Sequence, residues 1–240
     1  MLIYVTGLKG GIGKSFITNL VIYYYTNVLK VDPIVIDTDT SSPDIYWSNK
    51  DDFTFGSDLI TANTSNHDGW ALLIETAYKN KDKYIVVNAP AKEDESIAEH
   101  GRYLDKLAAQ GIDVITFFVI NDNGNAIKQI DLYREYVKSR ICIIKNSGKT
   151  KLNEDNFTSF NSSQFNTLPS VFIPCESTGY VSKYTHQAKD EEKKSLRYLF
   201  NSDSNKNTDE QTGDFGYIFM TEEWLSDCMQ NIKKAIEIAK

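Results

Sequence analysis

The segment TGLKGGIGKS, Thr6 to Ser15, follows the apolar run LIYV at residues 2–5 and leads into a stretch with helical spacing. A strand, a glycine-rich turn and then a helix constrain the chain more than any other feature of it. Glycines at 10, 11 and 13 let main-chain N–H groups crowd round an anion without interference from Cβ atoms. A helix starting near Lys14 aims the positive end of its dipole at the same point. Lys14 is then placed to reach the β- and γ-phosphates of a nucleotide, and Ser15 supplies a hydroxyl for Mg²⁺. A turn that happens to be rich in glycine is the plainer alternative, and the Lys-Ser pair between flanking elements weighs against it.

Further strands are expected at PIVID (33–37), YIVVN (84–88), VITFFVI (114–120), RICIIKN (140–146) and SVFIP (170–174). Each is apolar on both faces, as in strands buried between two helical layers. Helical spacing covers 15–30, 68–80, 94–109, 123–138 and 176–200. The alternation predicts an α/β fold, a doubly wound and mainly parallel sheet flanked by helices, with ligands at the carboxyl ends of the strands. One domain is expected over residues 1–240, with a polar surface excursion at 201–214, NSDSNKNTDEQTGD. In a last helix at 221–239, Trp224, Leu225, Cys228, Ile232 and Ile236 share one face, which reads as packing against the domain rather than as a membrane stripe.

Charge and cysteine content narrow the function classes. Against 26 basic side chains stand 33 acidic ones, a net −7, which argues against a surface wholly attracted to DNA or anionic lipid. Cys142, Cys175 and Cys228 show neither a CxxC pair nor zinc spacing and read as core thiols of a reducing cytoplasm. No leader and no membrane-spanning run is apparent, so a cytoplasmic protein is expected. His67, His100 and His186 share no motif and receive no role.

The usual phosphate-loop template GxxxxGK[ST] fails at Leu8, whereas KGGxGK[ST] fits, with a second lysine at Lys9. In this the chain resembles the ParA/MinD superfamily of deviant Walker A ATPases, SIMIBI-class P-loop proteins. Other segments follow the same pattern: VIDTDT at 35–40, Asn19-Leu20 in the helix after the loop, IIKNSG ending near Asn146, and VFIPCES containing Pro174. VVNAPA and FFVIND are similar to the small StbB-like and TraL-like branch of plasmid stability and conjugal transfer.

The resemblance implies ATP and Mg²⁺ as cofactors, with Gly10, Gly11, Ile12, Gly13, Lys14, Ser15 and Phe16 round the nucleotide. It places Asn146 on the adenine edge and Pro174 beside the base. Ser15 would ligate Mg²⁺ directly and Asp37 through water, while Asp39 positions or activates the attacking water. Lys9 would reach across a homodimer to the partner's phosphates, with Lys9 and Lys14 stabilising the charge that develops in hydrolysis. ATP-dependent dimerisation, timed by slow hydrolysis, would then serve plasmid partition, stability or mobilisation. Its partners would be nonspecific DNA and a small protein that stimulates hydrolysis. Candidate DNA contacts are Lys128, Arg134, Lys138 and Arg140, or Lys189, Lys193, Lys194 and Arg197.

One departure stands out. Where the family has a Walker B aspartate this chain has Asn88, in VVNAPAKED, and an amide reaches Mg²⁺ only weakly, through water. Slow turnover follows from that. Two rivals share the loop: a nucleotide-gated adaptor that scarcely hydrolyses, and a dethiobiotin-synthetase-like ligase. The ligase would need a substrate pocket with lysines near switch I, and DTDTSSPDIYW contains none.

Overall fold

A computed structural model of the chain describes residues 1–122, 125–148, 152–200 and 215–239. The polar excursion expected at 201–214 lies outside the described residues. The elements run β1 (Leu2–Thr6), α1 (Lys14–Tyr23), β2 (Ile34–Asp37), α2 (Asp44–Asn49), β3 (Leu59–Thr61), α3 (His67–Lys79), β4 (Ile85–Asn88), α4 (Asp94–His100), α5 (Arg102–Ala109) and β5 (Val114–Ile120). They continue with α6 (Ala126–Tyr136), β6 (Arg140–Asn146), α7 (Thr158–Asn161), β7 (Ser170–Ile173), α8 (Tyr180–Ser182), α9 (Leu196–Phe200) and α10 (Phe215–Ile238).

The seven strands of the described residues form one parallel sheet in the order β3-β2-β4-β1-β5-β6-β7. β1 lies between β4 and β5, so the chain crosses over it when it passes from one half of the sheet to the other. That makes the carboxyl end of β1 the crevice where an open α/β sheet receives ligands. The two-sided apolar runs are the reason for the layering. On one face Ile3, Val5, Phe117 and Ile144 pack with Ile17 and Leu20 of α1 and Ile232 of α10; on the other Leu2, Tyr4, Val87 and Phe118 pack with Trp70, Ile97, Leu104 and Ile130. Every residue of β5 is buried.

Several elements depart from the sequence reading. α1 gives way to a π-helical turn over Tyr24–Val28, and the edge strand β3 and the short helix α2 were not anticipated. Gly101, whose missing Cβ leaves room for Val137 Cγ2 and the Ile97 carbonyl, divides the helix expected over 94–109 into α4 and α5. The 176–200 segment is a series of short turns rather than one helix. α10 begins at Phe215, six residues before the expected start at 221, and its stripe Trp224, Leu225, Cys228, Ile232 and Ile236 is buried against the sheet, as expected. No helix among the described residues is long and apolar enough to cross a membrane.

Candidate functional site

The loop between β1 and α1 is held open by backbone that other residues resist. Gly11 and Gly13 are left-handed, with φ of 75° and 94°. A Cβ on Gly13 would also collide with Asn146 Nδ2. Among the described residues the N–H groups of Gly10, Gly11, Ile12 and Gly13 donate to no protein acceptor, which leaves them for an anion. α1 begins at Lys14, where its N-terminal dipole adds to the same field.

Lys14 is buried, and its Nζ folds back over the loop to donate to the Lys9 carbonyl at 3.2 Å. Burial lowers its pKa, opposed by the negative charges of Glu93 and Asp39. Ser15 and Phe16 are half-buried, and the Phe16 ring meets Trp224 with centroids 5.9 Å apart. Lys9, Gly10 and Gly11 are exposed at the rim.

Asp37 ends β2 beside Asn88 of β4. Its Oδ1 accepts from Asn88 Nδ2 at 2.9 Å and from the Asp39 N–H at 3.3 Å. Its Oδ2 accepts from the N–H groups of Ile45 and Tyr46 at 3.1 and 3.0 Å. The carboxylate thus satisfies the start of α2, a cap supplied from another strand. Burial pushes its pKa up to about 6, with the Asn88 and main-chain hydrogen bonds opposing the shift. The other end of the Asn88 amide, Oδ1, accepts from Thr18 Oγ1 at 3.1 Å. An amide suits this position because it donates to Asp37 and accepts from Thr18 at once, and an ionised carboxylate donates nothing.

Beside these residues opens a cleft of about 380 Å³, lined among others by Thr38, Asp39, Asn63, Lys92, Glu93 and Ser96. Asp39 Oδ1 anchors the turn by accepting from Ser41 Oγ at 2.7 Å and the Ser42 N–H at 3.1 Å. The lysine in this wall is Lys92, from the segment after β4, rather than one from the VIDTDT turn. Glu93 was not anticipated. Its Oε2 accepts from Tyr4 Oη at 2.8 Å and its Oε1 from Thr6 Oγ1. Complete burial raises its pKa to about 7, against those hydrogen bonds and the attraction of Lys14. Its sequence signal is only an acidic residue after a strand; the partners lie 87 and 89 residues away.

At the end of β6, Asn146 Nδ2 donates to the Ile12 carbonyl at 2.8 Å and its Oδ1 accepts from the Gly148 N–H at 3.3 Å. The residue expected on the adenine edge therefore braces the glycine loop between β1 and α1. Pro174, expected beside the base, offers its carbonyl to Trp224 Nε1 at 3.0 Å. Neither candidate DNA patch forms a free basic stripe. Arg140 pairs with Asp113, Arg134 donates to the Ser139 carbonyl and Lys138 to the Arg134 carbonyl. In the second group Lys193 pairs with Asp44 and Asp190, each at 2.6 Å, Lys194 with Asp51 at 3.6 Å and Arg197 with Asp32 at 3.2 Å. Acidic neighbours thus pair Arg140 in the first group and Lys193, Lys194 and Arg197 in the second.

No family model matches the chain. Over 163 residues, 67% of this chain and 69% of the relative, it is 26% identical to Protein MobD of Acidithiobacillus ferrooxidans. It superposes on chloroplast FtsY from Physcomitrella patens with a TM-score of 0.50 at 9% identity, covering 81% of this chain and 61% of that one. A nucleotide-binding protein from Archaeoglobus fulgidus, solved in complex with ADP, gives a TM-score of 0.44 at 14% identity, covering 79% and 89%. The chain spans under two thirds of the length of the FtsY structure. With its seven parallel strands between helical layers and its glycine loop at the crossover strand, the chain has the P-loop NTPase fold.

Proposed function

We propose that this chain is an ATP-binding switch of the ParA/MinD kind, a slow ATPase that dimerises on ATP and serves the mobilisation or maintenance of plasmid DNA. The observation that carries the reading is the loop from Gly10 to Gly13: N–H groups that meet no acceptor among the described residues, opening onto the start of α1, with the Lys14 ammonium folded across them. A triphosphate takes the place of the Lys9 carbonyl as the partner of Lys14, and Gly11 and Gly13 let the main chain approach it closely. Lys9, exposed at the rim, meets the phosphates held by a second copy. ATP thereby shifts the population towards a closed dimer, and hydrolysis returns it to monomers.

Mg²⁺, held by Ser15 and through water by Asp37 and Asn88, would supply charge neutralisation at the phosphates. Since both Asp37 oxygens are already engaged and Asn88 carries no charge, that hold is weak and turnover is slow. Asp39, facing the cleft, positions the attacking water. The likeness to MobD supports the mobilisation reading. Because acidic neighbours pair Arg140, Lys193, Lys194 and Arg197, action on DNA is through a partner protein rather than through those patches.

Light scattering with ATP, with ADP and without nucleotide tests the switch. A doubling of mass with ATP alone, lost in Lys9→Ala, is expected; a mass that ignores nucleotide contradicts it. Steady-state phosphate release should be slow but measurable, and lower again in Asp39→Ala. Equal inertness of the two would leave the adaptor reading in its place.

A further inference from the structure

The first residue of α3 and the last two of α4 come together on the surface. His67 Nε2 lies 3.4 Å from Glu99 Oε1, and His100 Nε2 lies 3.7 Å from Glu99 Oε2. The two imidazole rings sit with centroids 4.5 Å apart. One ligand atom from each of the three side chains falls within 4.8 Å of the others. Donors round a tetrahedral zinc ion, with bonds of about 2.0–2.1 Å, stand about 3.4 Å apart, so the three need to close by little.

We infer that His67, Glu99 and His100 form a binding site for a divalent transition-metal ion of the zinc type, which ties α3 to α4. The donor set suits such an ion: two imidazoles and one carboxylate, with the fourth position left to water. The three ligands differ in a useful way. His100 is buried, and its ring is fixed by Trp70 at 5.8 Å and Tyr103 at 6.1 Å. Trp70 is in turn pinned through Nε1 to the Thr64 carbonyl at 3.0 Å and Ser96 Oγ at 2.8 Å. His67 and Glu99 are exposed, 76% and 63%, so an ion can enter from solvent and draw them onto the fixed ring. The arrangement was invisible in the sequence because the ligands are 32 residues apart on two helices.

The consequence is mechanical. α4 follows the segment that carries Glu93, and its Ser96 lines the cleft. A bound ion holds α4 against α3 and so fixes that wall.

The inference does not rest on nucleotide binding and is tested without it. Untagged protein is titrated with zinc against a chromophoric chelator, and with Co²⁺ for its absorption spectrum, in the wild type, His67→Ala and Glu99→Ala. Both substitutions are at exposed side chains, so the fold survives. One zinc per chain is expected, a four-coordinate Co²⁺ spectrum, and a melting temperature that rises with zinc. Each variant should lose roughly tenfold or more in affinity, together with the spectrum and the thermal rise. Zinc uptake that is absent from the wild type, or equal in the wild type and His67→Ala, overturns the assignment.

Discussion

Asn88 Nδ2 donates to Asp37 Oδ1 at 2.9 Å across the paired ends of β4 and β2, where both side chains are buried. The amide therefore does more than lack a charge. It donates to a carboxylate that already caps α2, and through its Oδ1 accepts from Thr18 of α1, so it joins the helix after the glycine loop to the start of α2.

From that contact it follows that Asn88→Asp sets two buried carboxylates against each other. The metal-free variant should lose about 2 kcal/mol of stability by urea unfolding, since a buried hydrogen bond is replaced by like-charge repulsion. Mg²⁺ should restore more of that loss than it adds to the wild type. A metal-free variant as stable as the wild type would contradict the role given to the amide.

Gly13→Ala should weaken nucleotide binding while the sheet stays folded. Its φ of 94° and the Asn146 side chain both oppose a Cβ, a strain of about 1–3 kcal/mol. Adding Asn146→Ala removes the collision and leaves the backbone strain, so the double variant should recover part of the loss. A nucleotide affinity unchanged in Gly13→Ala would show that the loop does not need this backbone.

Stability should fall as pH rises through the acid range. Glu93, up at about 7 from an ordinary 4.5, binds its proton more tightly in the folded chain than in the unfolded one. Protonation thus favours the fold. The loss begins as the unfolded carboxyl ionises near 4.5 and ends once Glu93 itself ionises near 7. Asp37 acts with the same sign between its ordinary 3.8 and about 6. Urea midpoints of the nucleotide-free protein should decline up to about pH 7, and Glu93→Gln should flatten the stretch above about pH 6, where Asp37 no longer contributes. A slope above that point that survives Glu93→Gln would remove Glu93 as its source.

The loop and the sheet were legible in the sequence because their signals are local. VITFFVI is apolar on both faces, and it is buried along its whole length. The glycines at 11 and 13 take the left-handed backbone that the loop demands. What escaped is held by distant partners. α2 rises from the polar run SSPDIYW because the Asp37 carboxylate caps it from β2. β3 has three residues and takes its place by pairing along β2, too short for a periodic signal. Glu93 looks like a solvated acid until Tyr4 and Thr6 of β1 enclose it.

Calorimetric titration with a nonhydrolysable ATP analogue and Mg²⁺, on the wild type and Lys14→Ala, tests the central claim most directly. One site per chain is expected in the wild type, weakened in the variant by about 2 kcal/mol or more, roughly thirtyfold, with the far-ultraviolet spectrum unchanged. No heat of binding in the wild type, or the same affinity in both proteins, would contradict a triphosphate held at the β1–α1 loop.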